Sequence, residues 1–168
     1  MSKQSVWILN AGITSICLLG LVACFYTHVV EELKAENDSY VALCDISDHI
    51  SCSKVFTTEY AKGLGIIPKT SILYMPNYMY GVIFYTLVAI LSMFNKYPIS
   101  AIAVTLAVCS NLATLYLAYL LYIINSICVV CVSTYIINFI ILILTVKKHR
   151  NLFRDGTNKT KKRKKKSE

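Results

Sequence analysis

Residues Asn125 to Val146 read NSICVVCVSTYIINFIILILTV. Two cysteines three residues apart, Cys128 and Cys131, stand at the head of an apolar run that holds no charged residue. The run from Ile127 to Val146 has the length a helix needs to cross a bilayer, roughly 20 residues. Three more such runs precede it, at Val6–Val30, Tyr78–Phe94 and Ile99–Ile124, the second being the shortest. The chain has 168 residues, 56% of them hydrophobic, with a mean hydropathy of +0.57. A soluble domain of this size cannot bury so much apolar surface, whereas a lipid-embedded one need not. The expected fold is therefore an all-α membrane protein, a four-transmembrane-helix bundle. It divides into a four-span domain, 1–146, and a basic disordered tail, 147–168.

Charge orients the spans. Lys3, Lys96 and the residues after Val146 hold thirteen of the seventeen basic side chains, while Glu31–Asn77 holds four against seven acids. The positive-inside rule then places both termini and the turn near Lys96 in the cytosol. The loop 31–77 and the link before Cys128 fall on the opposite, luminal side. Span one has the Lys3 flank of a signal peptide, and LVAC, Leu21–Cys24, has the form of a lipoprotein cleavage box. Its apolar run exceeds a signal core, so it is read as a retained span.

The loop opens on EELKAEND and then turns apolar, with Val55, Phe56, Tyr60, Leu64, Ile66 and Ile67. That composition predicts a short helix and a cap folded over the membrane face rather than a disordered connection. Asn37 begins an NDS glycosylation pattern on the luminal side. The tail would suggest nucleic-acid binding if it stood alone. Behind four spans it reads as a cytosolic anchor near anionic lipid, with no nucleic acid as partner. Its last four residues, KKSE, carry the dilysine pattern for retrieval to the endoplasmic reticulum.

Cys128 and Cys131 share a helix face, and the start of a helix supplies unpaired N–H groups and a positive dipole end. These lower a thiol pKa in CxxC redox sites. In this topology the outer Cys128 meets the lumen and Cys131 the bilayer interior, so the pair can move electrons between a protein thiol and a lipid-soluble molecule. Cys44 and Cys52 form a second luminal pair, suited to exchange with soluble partners through mixed disulfides. Two other readings are open. Cysteines in a helix can simply pack as small hydrophobes, as expected for Cys17, Cys24 and Cys109. Alternatively Cys44, Cys52, Cys128 and Cys131 have the ligand count of a zinc site, although the C-x7-C spacing is unusual for one.

CDISDHISCSKVF, PNYMYGVIFY, LYLAYLLY and CVVCVSTYIIN occur in an order and spacing that resemble the vitamin K epoxide reductase family, from about Tyr26 to Asn138. The resemblance implies a dithiol-dependent reductase of vitamin K epoxide and quinone in the endoplasmic reticulum membrane, a family that coumarins inhibit. It implies that Cys131 contacts the naphthoquinone, Cys128 resolves it, and Cys44 and Cys52 recharge the pair from a thioredoxin-like luminal protein. Redox-active disulfides Cys44–Cys52 and Cys128–Cys131 follow, with no bound cofactor or metal. Asn77 and Tyr135 match the positions that hydrogen-bond the quinone oxygens; Phe56, Tyr80, Phe84, Leu117 and Leu121 match the pocket wall. The hydroquinone would serve γ-glutamyl carboxylation. The alternatives are a quinone-linked oxidase driving luminal disulfide formation, and a non-catalytic four-span scaffold with structural disulfides or zinc.

Overall fold

The structure, a computed structural model, describes the backbone of residues 3–47 and 49–164 and the side chains of 6–47 and 49–157. The KKSE pattern lies outside the described residues. Four long helices carry the fold: α1 (Lys3–Glu36), α3 (Asn77–Met93), α4 (Tyr97–Ile124) and α5 (Val129–Lys164). A short α2 (Cys52–Phe56) and two 3₁₀ turns, Glu59–Ala61 and Gly63–Gly65, lie in the connection between α1 and α3. Among the described residues pairing outside helices is limited to isolated bridges.

Each long helix packs on two others: α1 on α3 and α5, and α4 on α3 and α5. Four antiparallel helices thereby close a ring. One end of the bundle carries Lys3, the Lys96 turn and the Lys-rich stretch; the other carries the 37–76 connection, here called the cap. Outward faces are apolar, with Trp7, Val22, Phe25, Leu112 and Leu115 all more than 60% exposed. Such a surface suits lipid and not water. Helices α1, α4 and α5 are long and apolar enough to cross a membrane, while α3, with 17 residues, is shorter.

Two boundaries differ from the sequence expectation. Helix α1 runs on through the charged stretch to Glu36. Helix α5 likewise does not stop at Val146 but continues to Lys164, so the basic segment expected to be disordered begins as an extension of the last helix. Between Val146 and Lys164 there is no proline and a single glycine, and Lys and Arg are good helix formers.

Helices approach closely where side chains are small, as lipid-embedded bundles require. A Cβ built on Gly20 would stand 2.5 Å from the Tyr85 ring, and one on Gly81 would stand 2.7 Å from Cys24 Sγ. Cys17, Cys24 and Tyr85 join Ile13, Val88, Ala107 and Ile141 in the buried core. Cys17 and Cys24 thus pack as the small hydrophobes expected, whereas Cys109 is exposed. At the basic end, buried Lys148 donates to the carbonyls of Ser92 (2.5 Å) and Phe94 (3.2 Å). It caps the C-terminus of α3, where the helix dipole favours a cation.

Substituting Gly20 by Val forces the Tyr85 ring aside and should cost about 1–3 kcal/mol. Gly12→Ala, whose Cβ finds its nearest neighbour at 3.8 Å, should be tolerated. Thermal unfolding of the two variants in detergent measures the contrast.

Candidate active site

Helix α4 ends on Asn125, whose backbone is left-handed (φ 54°) and whose N–H bonds the Tyr122 carbonyl. Asparagine tolerates this conformation and stops the helix cleanly. The chain then turns through Ser126 and Ile127 into α5. Helix α5 begins at Val129, so Cys128 takes the N-cap place. Its sulfur accepts the N–H of Cys131 at 3.2 Å, the bond a serine oxygen makes at an ordinary N-cap. Cys128 and Cys131 are paired, with Cα atoms 5.2 Å apart.

A second disulfide, Cys44–Cys52, spans 5.8 Å between Cα atoms. Its loop is organised by Asp45, whose carboxylate accepts the N–H groups of Ala42 (2.9 Å) and Ser53 (3.0 Å) and the Ser51 hydroxyl (2.9 Å). Ser51 in turn caps α2 through the Lys54 N–H. Burial alone would raise the Asp45 pKa, but the bonds from Ser53, Ala42 and Ser51 outweigh it and hold the group at about 2. Tyr26 Oη lies 3.6 Å from Cys44 Sγ.

This loop sits on the start of α5. The Ile127 N–H donates to His49 O at 2.7 Å, and the Ser51 N–H donates to Ile127 O at 3.1 Å. The pairing covers Cys128, contrary to the expectation that it faces the aqueous side. Cys128 and Cys52 are both 0% exposed, in one cluster with Cys44, Val30, Val55 and Phe56. Of these three cysteines Cys44 alone retains slight exposure, 9%.

Cys131, by contrast, lines a cavity of about 360 Å³ between the cap and the helices. The cavity wall includes Asn77, Tyr135, Phe56, Tyr80, Phe84, Leu117 and Leu121, every pocket residue that the resemblance implied. Cys128, Cys44 and Cys52 are not part of it. Tyr135 Oη makes no hydrogen bond among the described residues. Asn77 is engaged differently: its Nδ2 donates to Tyr60 O (2.7 Å) and its Oδ1 accepts the Leu64 N–H (2.8 Å). It therefore ties the cap to the head of α3, with one N–H left over. Leu64 itself is left-handed (φ 55°) between Gly63 and Gly65, a strained turn that closes the cavity roof. Tyr80 donates to the Leu73 carbonyl and steadies the same cap.

Sequence reasoning missed several wall residues, among them Glu31, Leu64, Thr114, Thr134 and Asn138. For Asn138 the signal was present: it lies three residues beyond Tyr135 and seven beyond Cys131, on one helix face. Nothing local marked Leu64 or Glu31.

The depressed Asp45 pKa ties loop order to pH. A carboxylate with an ordinary pKa near 3.9 when unfolded, held at about 2 when folded, stabilises the loop above pH ~4 and loses that contribution as pH falls through about 2. Reduction of Cys44–Cys52 by a water-soluble phosphine should accelerate over that window. Asp45→Asn should be readily reduced already at pH 6.

Comparison with known proteins follows the same lines. Residues 12–146 match the Vitamin K epoxide reductase family. The chain is 33% identical over 139 residues to the rat (Rattus norvegicus) protein named Vitamin K epoxide reductase complex subunit 1, covering 80% of this chain and 86% of the relative. The mouse (Mus musculus) protein of the same name is 32% identical over the same shares. With the paired cysteines, the apolar helices and the cavity between them, these matches make the chain a member of the vitamin K epoxide reductase family, a family of membrane oxidoreductases.

Proposed function

We propose that this chain is a four-span enzyme of the endoplasmic reticulum membrane that reduces vitamin K epoxide and vitamin K quinone with the Cys128/Cys131 dithiol. One observation supports the reading: the two cysteines of one CxxC have different surroundings. Cys131 opens on an apolar cavity, and Cys128 is buried beneath the loop that holds Cys44 and Cys52. Flat apolar guests suit a cavity walled by Phe56, Phe84 and Leu121. The fourth span is α3, whose 17 residues reach about 25 Å at 1.5 Å each, short of a hydrocarbon core of roughly 30 Å but completed by its place in the ring. Charge balance sets the basic end in the cytosol and the cap in the lumen.

In the reduced enzyme the Cys131 thiolate attacks an epoxide carbon, breaking one C–O bond, and the alkoxide takes up a proton. The Cys128 thiolate then attacks the Cys131 sulfur. The disulfide forms, the C–S electron pair returns to the ring, and the former epoxide oxygen leaves as water. Two thiols are oxidised while epoxide becomes quinone. A second dithiol cycle takes quinone to hydroquinone, the reductant for γ-glutamyl carboxylation. The Tyr135 hydroxyl and the spare Asn77 N–H stabilise charge on the quinone oxygens. The N–H of Cys131 stabilises a Cys128 thiolate, both as nucleophile and as leaving group.

Recharging runs through the cap. A reduced Cys52 attacks Cys128 and releases Cys131; Cys44 then attacks Cys52 and releases Cys128. A thioredoxin-like luminal protein reduces the Cys44–Cys52 disulfide left behind. Its entry point is Cys44, the less buried of the two sulfurs.

Membranes containing the protein should convert vitamin K epoxide with dithiothreitol, and a coumarin should inhibit the conversion. Cys131→Ala should abolish the activity; persistence of turnover would overturn the assignment. Cys44→Ala and Cys52→Ala should keep activity with dithiothreitol and lose it when a thioredoxin-like protein is the only reductant.

A further inference from the structure

Among the residues that line the cavity, Glu31 is the single Asp, Glu, Lys or Arg. It stands one residue beyond the apolar run Val6–Val30. Thr27 and Cys24, one and two turns earlier on the same face of α1, line the cavity as well. Its neighbour Val30 is buried in the cluster that holds Cys44, Cys52 and Cys128, with Cys131 packed against it. Glu31 therefore belongs to the cap end of the cavity. It is half-buried, and among the described residues its oxygens take no hydrogen bond and no direct ion pair.

Opposite charge is near but lies outside the wall. Lys62, exposed on the cap, attracts the carboxylate, and Glu32, next along α1, repels it. On the α3 side stands Tyr78, which shares a hydrogen bond of 3.0 Å with His28 of α1 and not with Glu31. Burial is the largest influence and raises the Glu31 pKa to about 7; Lys62 pulls the other way, and Glu32 adds to the rise. Near neutral pH the cavity thus carries its own negative charge for only part of the time.

We infer that Glu31 makes the cavity selective for uncharged rings, so that an anionic ring binds only together with a proton. The inference rests on the naphthoquinone reading and narrows its ligand class. An apolar wall screens charge poorly, so a carboxylate and a ring anion in one cavity repel at distances that water would mask. No particular contact between them is needed. A neutral quinone brings no charge to oppose. Two outcomes relieve the repulsion: the anion stays in water, or Glu31 takes up a proton. Anion affinity therefore falls as pH rises above about 7, where Glu31 of the empty cavity gives up its proton. Lys62 acts in the opposite sense, but from solvent, where screening weakens it.

The test uses the full-length oxidised protein in nanodiscs. It measures equilibrium binding, at pH 7 and pH 9, of two naphthoquinones with the same tail. The 2-methyl form is neutral; the 2-hydroxy form is a vinylogous acid, ionised across this window. Between the two pH values the wild-type Kd for the 2-hydroxy ring should rise about tenfold or more, and that for the 2-methyl ring less than about threefold. Glu31→Gln keeps the shape and removes the charge. At pH 9 it should bind the 2-hydroxy ring about tenfold more tightly than wild type, lose the pH dependence, and leave the 2-methyl ring unchanged. Lys62→Gln should weaken the 2-hydroxy ring and not the 2-methyl ring. A Glu31→Gln protein that still loses anion affinity with pH, or that gains affinity for both rings alike, would overturn the inference. A wild type that binds neither ring would overturn the naphthoquinone reading and this inference with it. A wild type that discriminates as expected but never reduces the 2-methyl ring with dithiothreitol would sink the redox reading alone and support this one.

Discussion

Two backbone hydrogen bonds, from Ile127 to His49 and from Ser51 to Ile127, hold the rest of the site in register. They seat the cap on the single residue that precedes Cys128. Because the bonds are main chain to main chain, they fix position without regard to side chain, and they remove water from the sulfurs on either side. Asp45 makes the seat rigid by gathering three donors onto one carboxylate. The disulfide loop, α2 and the N-cap of α5 therefore form one unit. Without it Cys52 and Cys128 would belong to separate elements with no reason to share a core.

Below that unit lipid imposes a different rule. With hydrocarbon outside, the helices gain nothing from hiding leucine, so they meet at glycines and exchange hydrogen bonds where they can. Gly20 receives the Tyr85 ring, Gly81 receives Cys24, and Tyr85 delivers its proton to Asn138. The same tyrosine thus packs α1 against α3 and orders the cavity floor. At the far end Lys148 fastens α5 to the last carbonyls of α3. Stability and site geometry are drawn from one set of contacts.

The helices and their order were legible because each is an unbroken apolar run, and hydropathy reports burial in lipid directly. Their ends were not. Glu36 and Lys164 show that charge alone does not terminate a helix. The CxxC and its partner pair were legible as chemistry, but the burial of Cys128 was not, since it depends on a loop docking from more than seventy residues away in sequence. Asn77 illustrates the opposite limit. Motif likeness places it in the cavity, and it is there, yet its amide is largely spent on the Tyr60 and Leu64 backbone, a contact between segments that no spacing rule links.

The placement of the four sulfurs bears on how the two ends of the site are coupled. Cys131 lines the cavity, Cys44 is slightly exposed, and Cys52 and Cys128 are sealed between them. On the proposed route, electrons from a protein partner enter at Cys44 and reach the cavity only when the two sealed atoms, Cys52 and Cys128, change partners. That junction is then the clutch of the molecule, and its rate sets how faithfully the state of one end is passed to the other.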